Sequence, residues 1–201
     1  MSRPSQLNLE KIAAAALAIA DAEGFASVSM RRIAQEMGVG TMSLYYYVKT
    51  KADLVAAMDD ALMGEVLAPS LPGNWREALT VIAIRTRDVF LRHPWALSSM
   101  LSAPPGVNAM RHMEQCLHAL VRTTMTTREK LALLAIIDDF VFGYALREAG
   151  GPQVDLKFAR AQLATGAFPR LKEAGRGCRP AMPDRFRMGL RALLDSVKKT
   201  I

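Results

Sequence analysis

The segment 28–51, VSMRRIAQEMGVGTMSLYYYVKTK, constrains this chain more than any other. Its pattern predicts two short helices joined by a tight turn. Ser29 is placed to cap the first helix, and Gly38 to end it, because glycine adopts the left-handed conformation at little cost. A second helix is expected from Gly40 or Thr41 through Val48. This arrangement predicts a helix-turn-helix, a motif whose second helix enters the major groove of DNA.

The second helix carries hydroxyls, a methionine methyl group and three adjacent tyrosines, with Leu44 and Val48 facing inward. Hydroxyls suit phosphates and base edges, and methyl groups suit the thymine methyl. A helix buried in a core is the alternative, but buried phenols each need a hydrogen-bond partner. DNA contact is therefore favoured. The predicted DNA-binding residues are Ser29, Arg31, Arg32, Thr41, Met42, Ser43, Tyr45, Tyr46, Tyr47, Lys49 and Lys51.

The run GVGTMSLYYYVKTKADL resembles the signature of the tetracycline-repressor (TetR) family of bacterial transcription regulators. It departs from that signature at Gly40, where Ser or Thr is usual, and at Tyr47, where His is common. The resemblance implies that Arg31 contacts a base or a phosphate. It also implies a homodimer that binds double-stranded DNA at a palindromic operator, usually as a repressor. A small molecule is expected to release this dimer from the DNA.

Composition indicates an all-α fold, since 51% of the 201 residues are hydrophobic and only 6% are aromatic. The net charge of +7 is not evidence for DNA binding, because the basic excess lies after residue 151. No uncharged apolar run is long enough for a membrane span, and the N-terminus lacks a signal-peptide layout. Two distant cysteines fit a reduced compartment. We therefore expect a cytoplasmic protein with no membrane partner.

Prolines and a glycine after residue 68 indicate three parts: a helix-turn-helix domain (1–51), a connecting helix (52–68) and a helical effector-binding and dimerisation domain (69–201). The segments HPWALSSML and DDFVFGYALREA resemble the C-terminal domain of TetR-like regulators. The helix predicted at 128–148 is apolar on nearly every side, so part of its cover is expected from a second subunit. Residues 166–183 are predicted to form a loop before a last helix at 184–199. The predicted dimerisation residues are Leu134, Ile137, Val141, Leu190, Leu193 and Leu194.

Methionines and aromatic residues of the second domain suit a pocket for a bulky apolar effector, although they equally suit an ordinary core. Asp138 or Asp139 would meet a charged group on that effector or an Arg across the dimer, because a buried carboxylate needs a partner. Tetracycline is disfavoured, because Leu67 and Met100 stand where the tetracycline-binding members place histidines. The predicted ligand-binding residues are Trp95, Met100, Met110, Met113, Leu117, Asp138, Asp139, Phe140 and Tyr144.

Signals for catalysis or metal binding are weak. His112 and Cys116 share one helix face, and Glu114 and His118 share another, but two ligands do not complete a zinc site. We therefore predict no catalytic residues, no metal and no cofactor. Three hypotheses stay open: a ligand-responsive regulator, a DNA-binding regulator of the same fold without an effector, and a helical enzyme or binding protein.

Overall fold

The computed structural model describes residues 7–99, 104–150, 156–175 and 182–197, and all regular elements in these ranges are helical, as the composition predicted. None of the described helices is long and apolar enough to cross a membrane. The helices are α1 (Leu9–Glu23), α2 (Met30–Met37), α3 (Thr41–Tyr45), α4 (Lys51–Val66), α5 (Trp75–Arg92), α6 (Ala96–Ser99), α7 (Val107–Ala119), α8 (Thr127–Ala149), α9 (Leu156–Ala164), α10 (Pro169–Ala174) and α11 (Met182–Ser196).

The local signals at the start of the chain act as predicted. Asn8 and Ser29 cap α1 and α2 by accepting backbone N–H groups of the first turn. Gly38 ends α2 in the left-handed conformation, with φ of 65°. Thr50 and Asp53 form a capping box at the start of α4. Each helix end described here is therefore determined by residues within a few positions of it.

The second helix of the motif is shorter than predicted, since α3 ends at Tyr45 rather than Val48. The N–H groups of Tyr47 and Val48 both reach the Leu44 carbonyl, which closes the last turn. Immediately afterwards the backbone N–H groups of Lys49 and Thr50 donate to the Asp53 carboxylate. The capping box of α4 thus turns the backbone away from the axis of α3.

Helix α4 belongs to both halves of the molecule, because it packs against α1 on one side and against α5, α6 and α7 on the other. A first core joins α1–α4 to the end of α5, to α6 and to Ala145 of α8. A second core is built from α5, α7, α8 and α11. The N-terminal domain therefore shares its core with the body through α4.

Two arginines of α5 bond to neighbouring helices, one to α4 and one to α8. Arg85 donates to the carbonyls of Glu65, Val66 and Leu67 at 2.8–3.0 Å, and so satisfies the C-terminal end of α4. Arg87 makes a two-pronged ion pair with Glu148 of α8, with a shortest distance of 2.6 Å. The end of α4 is thereby fixed to the body.

A polar contact ties α1 to the segment between α5 and α6. One carboxylate oxygen of Asp21 lies 2.8 Å from His93 Nδ1 and accepts the Trp95 indole N–H at 2.8 Å. The Trp95 ring stacks on Phe25 with centroids 5.3 Å apart. Trp95 therefore lies at the junction with the N-terminal domain, and its role in an effector pocket stays a prediction.

The structure places most of the predicted dimerisation residues inside one protomer. Leu134, Ile137 and Val141 of α8, with Leu190 and Leu194 of α11, are buried within its core, and Leu193 is partly exposed. Helices α5 and α11 of the same chain cover part of the apolar surface of α8, and Leu131, Ile136 and Leu146 stay exposed. A dimer interface through α8 and α11 therefore stays a prediction.

The segment predicted as a loop at 166–183 contains helix α10, which begins at Pro169. Proline is favourable in the first turn of a helix, because the N–H it lacks would be unpaired there. Residues 176–181 of that prediction lie outside the described part of the chain.

We predict that Asp21→Ala lowers the free energy of unfolding by about 1–3 kcal/mol, because the buried His93 loses its hydrogen-bond partner. Urea unfolding at fixed protein concentration measures the change. Glu10→Ala, at an exposed position on the same helix, is the control. Equal stability of the two variants would contradict the role given to this contact.

Candidate nucleic-acid interface and effector cleft

The helix-turn-helix has exposed polar and aromatic side chains opposite a buried apolar face. Leu44 and Val48 are fully buried, which confirms that they face inward. Met42 and Tyr46 are 76% and 87% exposed, and Tyr45 and Tyr47 are each about half as exposed as Tyr46. Ser43, Lys49 and Lys51 are exposed, and Thr41 is half-exposed. The predicted DNA-contacting side chains of α3 and of the residues up to Lys51 are thus accessible to solvent.

The two adjacent arginines of α2 differ in environment. Arg32 pairs with Glu23 at 2.6 Å and with Glu36 at 2.8 Å, and these carboxylates raise the pKa of its guanidinium. Arg31 is exposed and makes no ion pair with any residue in the described ranges. Ser29 uses its hydroxyl to cap α2. Arg31 is therefore the α2 residue with a charge available to DNA, and Arg32 orients α2 against α1.

The predicted ligand-binding residues lie in different surroundings. Phe140 and Tyr144 pack on Phe186 in the second core, with ring centroids 5.1–5.4 Å from it, and Leu117 packs against the same core. Asp138 and Asp139 are exposed on α8. Met100 lies outside the described residues. Met110 and Met113 line a shared cleft, and ligand binding by the others stays a prediction.

That cleft lies between α4 and α7 and has a volume of about 440 Å³. Its size is in the range of small-molecule sites. Its walls combine methionine, alanine and proline with two buried polar side chains. The lining residues include Asp59, Met63, Pro104, Ala109, Met110, His112 and Met113.

The polar groups of the cleft have unused hydrogen-bonding capacity. Asp59 is 5% exposed, and one of its oxygens accepts the Ser99 hydroxyl at 2.9 Å, while the other has no hydrogen-bond partner among the described residues. His112 is 7% exposed, and its Nε2 lies 3.8 Å from Cys116 Sγ, while no described residue bonds to its Nδ1. Burial raises the pKa of Asp59 to about 6 and lowers the pKa of His112. The described residues hold no group of three or more metal-ligating side chains.

The neighbouring residue, Asp60, joins the two walls of the cleft. Its carboxylate accepts the Asn108 backbone N–H at 2.7 Å, near the start of α7, and its carbonyl accepts the Asn108 side-chain amide at 3.0 Å. A Cβ on Gly106 would clash with the Asp60 carboxylate, so this close approach requires glycine. Helices α4 and α7 are therefore held together at one end of the cleft.

The sequence places Asp59 within an apolar stripe, although Asp59 is not among the predicted ligand-binding residues. Val55, Asp59, Leu62 and Val66 follow the three- and four-residue spacing of the inward face of α4. A carboxylate within such a stripe must be paired or functional. Asp59 could therefore have been selected from the sequence, whereas the position of His112 opposite it required the structure.

A second, larger groove of about 710 Å³ runs between the α4–α5 connection and the outer face of α7. Its charged and imidazole side chains, Arg111, Glu114, His118 and Arg122, are exposed to solvent. Water satisfies such groups, so this groove offers a bound molecule less specificity than the cleft.

We predict that Asp59→Asn changes how stability depends on pH. The folded pKa of about 6 lies above the ordinary value of 3.8, so the carboxyl favours folding at low pH and loses that contribution as pH rises to 6. From pH 4.5 to 7, the wild type should lose about 2 kcal/mol relative to Asp59→Asn. Urea unfolding at both pH values measures this difference, with Glu10→Gln as the exposed control. Parallel pH profiles for wild type and Asp59→Asn would contradict the assignment.

Comparison with known proteins agrees with a helix-turn-helix joined to a helical body. Residues 12–58 match the family described as bacterial regulatory proteins, tetR family, and residues 68–201 match the tetracyclin repressor-like C-terminal domain. The HTH-type transcriptional repressor DrrR1 of Streptomyces coeruleorubidus is 35% identical, over 98% of this chain and 81% of that protein.

The solved structures that resemble the chain include ActR of Streptomyces coelicolor without ligand. Its TM-score is 0.79 at 28% identity, over 98% of this chain and 96% of ActR. ActR in complex with actinorhodin gives 0.78 at 28% identity, over 96% and 97% of the two chains. Two family domains that together span most of the chain, on a helix-turn-helix joined to a helical body, identify a member of the TetR family, whose members are transcriptional regulators and not enzymes.

Proposed function

We propose that this chain is a dimeric repressor that binds a palindromic operator through α2 and α3 and is released by a small molecule bound between α4 and α7. The observation that carries the DNA-binding part is the surface formed by Arg31, Met42 and Tyr46. These side chains are exposed on helices whose inward faces are fully packed. A rigid base with accessible side chains suits readout in the major groove.

A small-molecule effector is supported by the cleft and by the relatives. The cleft contains two buried polar side chains with free hydrogen-bonding atoms, which an empty core would not retain without cost. ActR has been solved with actinorhodin and with (S)-DNPA. We infer that ligand binding in the present chain occurs at Asp59 and His112, because these two residues combine burial with unused polar atoms.

Helix α4 supplies the route between effector and DNA. Asp59 lies near its middle, and Leu54 and Met58 pack in the core shared with α1. A ligand that binds better to one position of α4 shifts the population toward that position. Because α4 follows α3 after a short turn, such a shift changes the separation of the two DNA-reading helices in a dimer.

A dimer interface is proposed on residues that the protomer leaves uncovered. Ile136 of α8 and Met188 of α11 are half-exposed or more, at 50% and 63%. Leu193 of α11 is partly exposed. One helix-turn-helix contacts only a half-site, so a symmetric pair is needed for a palindrome. A protein that reads DNA in this way acts in the cytoplasm of a bacterium.

We predict that Arg31→Ala weakens specific operator binding by about 1–3 kcal/mol, the contribution of one good base contact. Fluorescence anisotropy on the selected operator at fixed salt concentration measures it. Lys172→Ala, an exposed cation on α10, is the control and should bind as the wild type does. Tyr46→Ala should also weaken binding. Unchanged affinity and base preference in Arg31→Ala would refute the contact.

The proposed function is tested by selecting bound fragments from random DNA and then adding candidate effectors. We expect a palindromic site occupied by two protomers. Met188→Glu should give a monomer by light scattering and lose operator binding, whereas Leu171→Glu on exposed α10 should do neither. A wild-type monomer on DNA would overturn the dimer. Failure of every tested class of small molecule to release the DNA would favour a regulator without an effector.

A further inference from the structure

The free oxygen of Asp59 is the least explained polar atom near the cleft. The side chain is buried, its second oxygen is satisfied by Ser99, and the free oxygen has no partner among the described residues. A buried acceptor without a partner destabilises the folded state. Its retention is accounted for if a ligand supplies the missing donor.

The charges that line the cleft restrict what that donor can be. The described lining residues include Asp59 and Asp60 but no lysine or arginine. Asp60 is already satisfied by the Asn108 backbone N–H. A carboxylate on a ligand would meet Asp59 with the same sign of charge, whereas a neutral hydroxyl would leave the buried charge uncompensated. A cation bearing an N–H group satisfies both the hydrogen bond and the charge.

The remaining walls determine the rest of the ligand. Met63, Met110 and Met113, with Ala109 and the two prolines at 104–105, offer apolar and deformable surface. A volume of about 440 Å³ accommodates a body of a few fused or linked rings. His112 Nδ1 is free to contact a polar substituent beside the amine, as donor or acceptor according to its tautomer.

We propose that the effector is an amphipathic amine, with an apolar ring system between Met63, Met110 and Met113 and a protonated N–H group bonded to the free oxygen of Asp59. This assignment rests on the proposed function, which it narrows to one class of ligand. It places the charge recognition on α4 itself, rather than on Asp138 or Asp139 of α8. Quaternary ammonium compounds are poor ligands on this view, since they carry no N–H donor.

The test uses four anthracene probes that share one ring system: 9-(aminomethyl)anthracene, its trimethylammonium analogue, 9-anthracenemethanol and 9-anthraceneacetate. Binding to the full-length protein without DNA is followed by anthracene fluorescence at pH 7.5. We expect the amine to bind at least about tenfold more tightly than each of the other three, because it alone combines charge with N–H donors.

Asp59→Asn should weaken amine binding by at least about tenfold and leave the alcohol within a few-fold. Asp139→Asn, which removes an exposed carboxylate, should bind all four probes as the wild type does. Circular dichroism and thermal unfolding confirm that each variant is folded. Preference for the acetate, absence of amine binding, or unchanged amine affinity in Asp59→Asn would overturn the proposal.

Addition of operator separates this proposal from the proposed function. If the amine binds through Asp59 but does not release DNA, the ligand class stands and effector-controlled release fails. If the amine does not bind and an anion releases DNA, the function stands and the ligand class is wrong.

Discussion

The packing of α4 against both halves of the molecule is the constraint on which the rest of the structure depends. Its first turns lie in the core shared with α1, and Arg85 fixes its last three carbonyls to α5. Protein interiors are close-packed, so a helix with neighbours on both sides moves as a body or not at all. Any displacement at the cleft would therefore be transmitted to the N-terminal domain along a rigid element.

Polar groups buried around this helix are costly unless they perform a function. The Asp21 carboxylate pairs with His93 Nδ1 across the junction of the two halves, so their contact contributes to stability and sets the orientation of α1. Asp59 is different, because one oxygen stays unpaired and its charge is unfavourable in the free protein. A ligand that supplies the missing donor would offset this cost. Its binding would therefore stabilise the folded state.

The sequence was sufficient where structure is determined locally. Caps, the left-handed Gly38 and the apolar spacing predicted α1, α2 and α4 closely, because each signal acts within one or two turns. The aromatic residues of α8 were a harder case. Phe140 and Tyr144 suit a pocket or a core, and their contact with Phe186, more than forty residues away, is visible only in the structure. Part of the cover of α8 is expected from a second subunit, because α11, which covers another part, is equally remote in sequence. Leu131, Ile136 and Leu146 of α8 stay exposed.

The adjacency of Asp59 and Asp60 links ligand recognition to helix position. The first residue lines the cleft, and the second caps α7 through the Asn108 N–H. Gly106 lies so near the Asp60 carboxylate that little sliding of α7 along α4 is allowed at that end. Under the proposed function, a ligand at Asp59 would therefore act on α4 immediately beside its fixed contact with α7, while Arg85 holds the C-terminal end of the same helix.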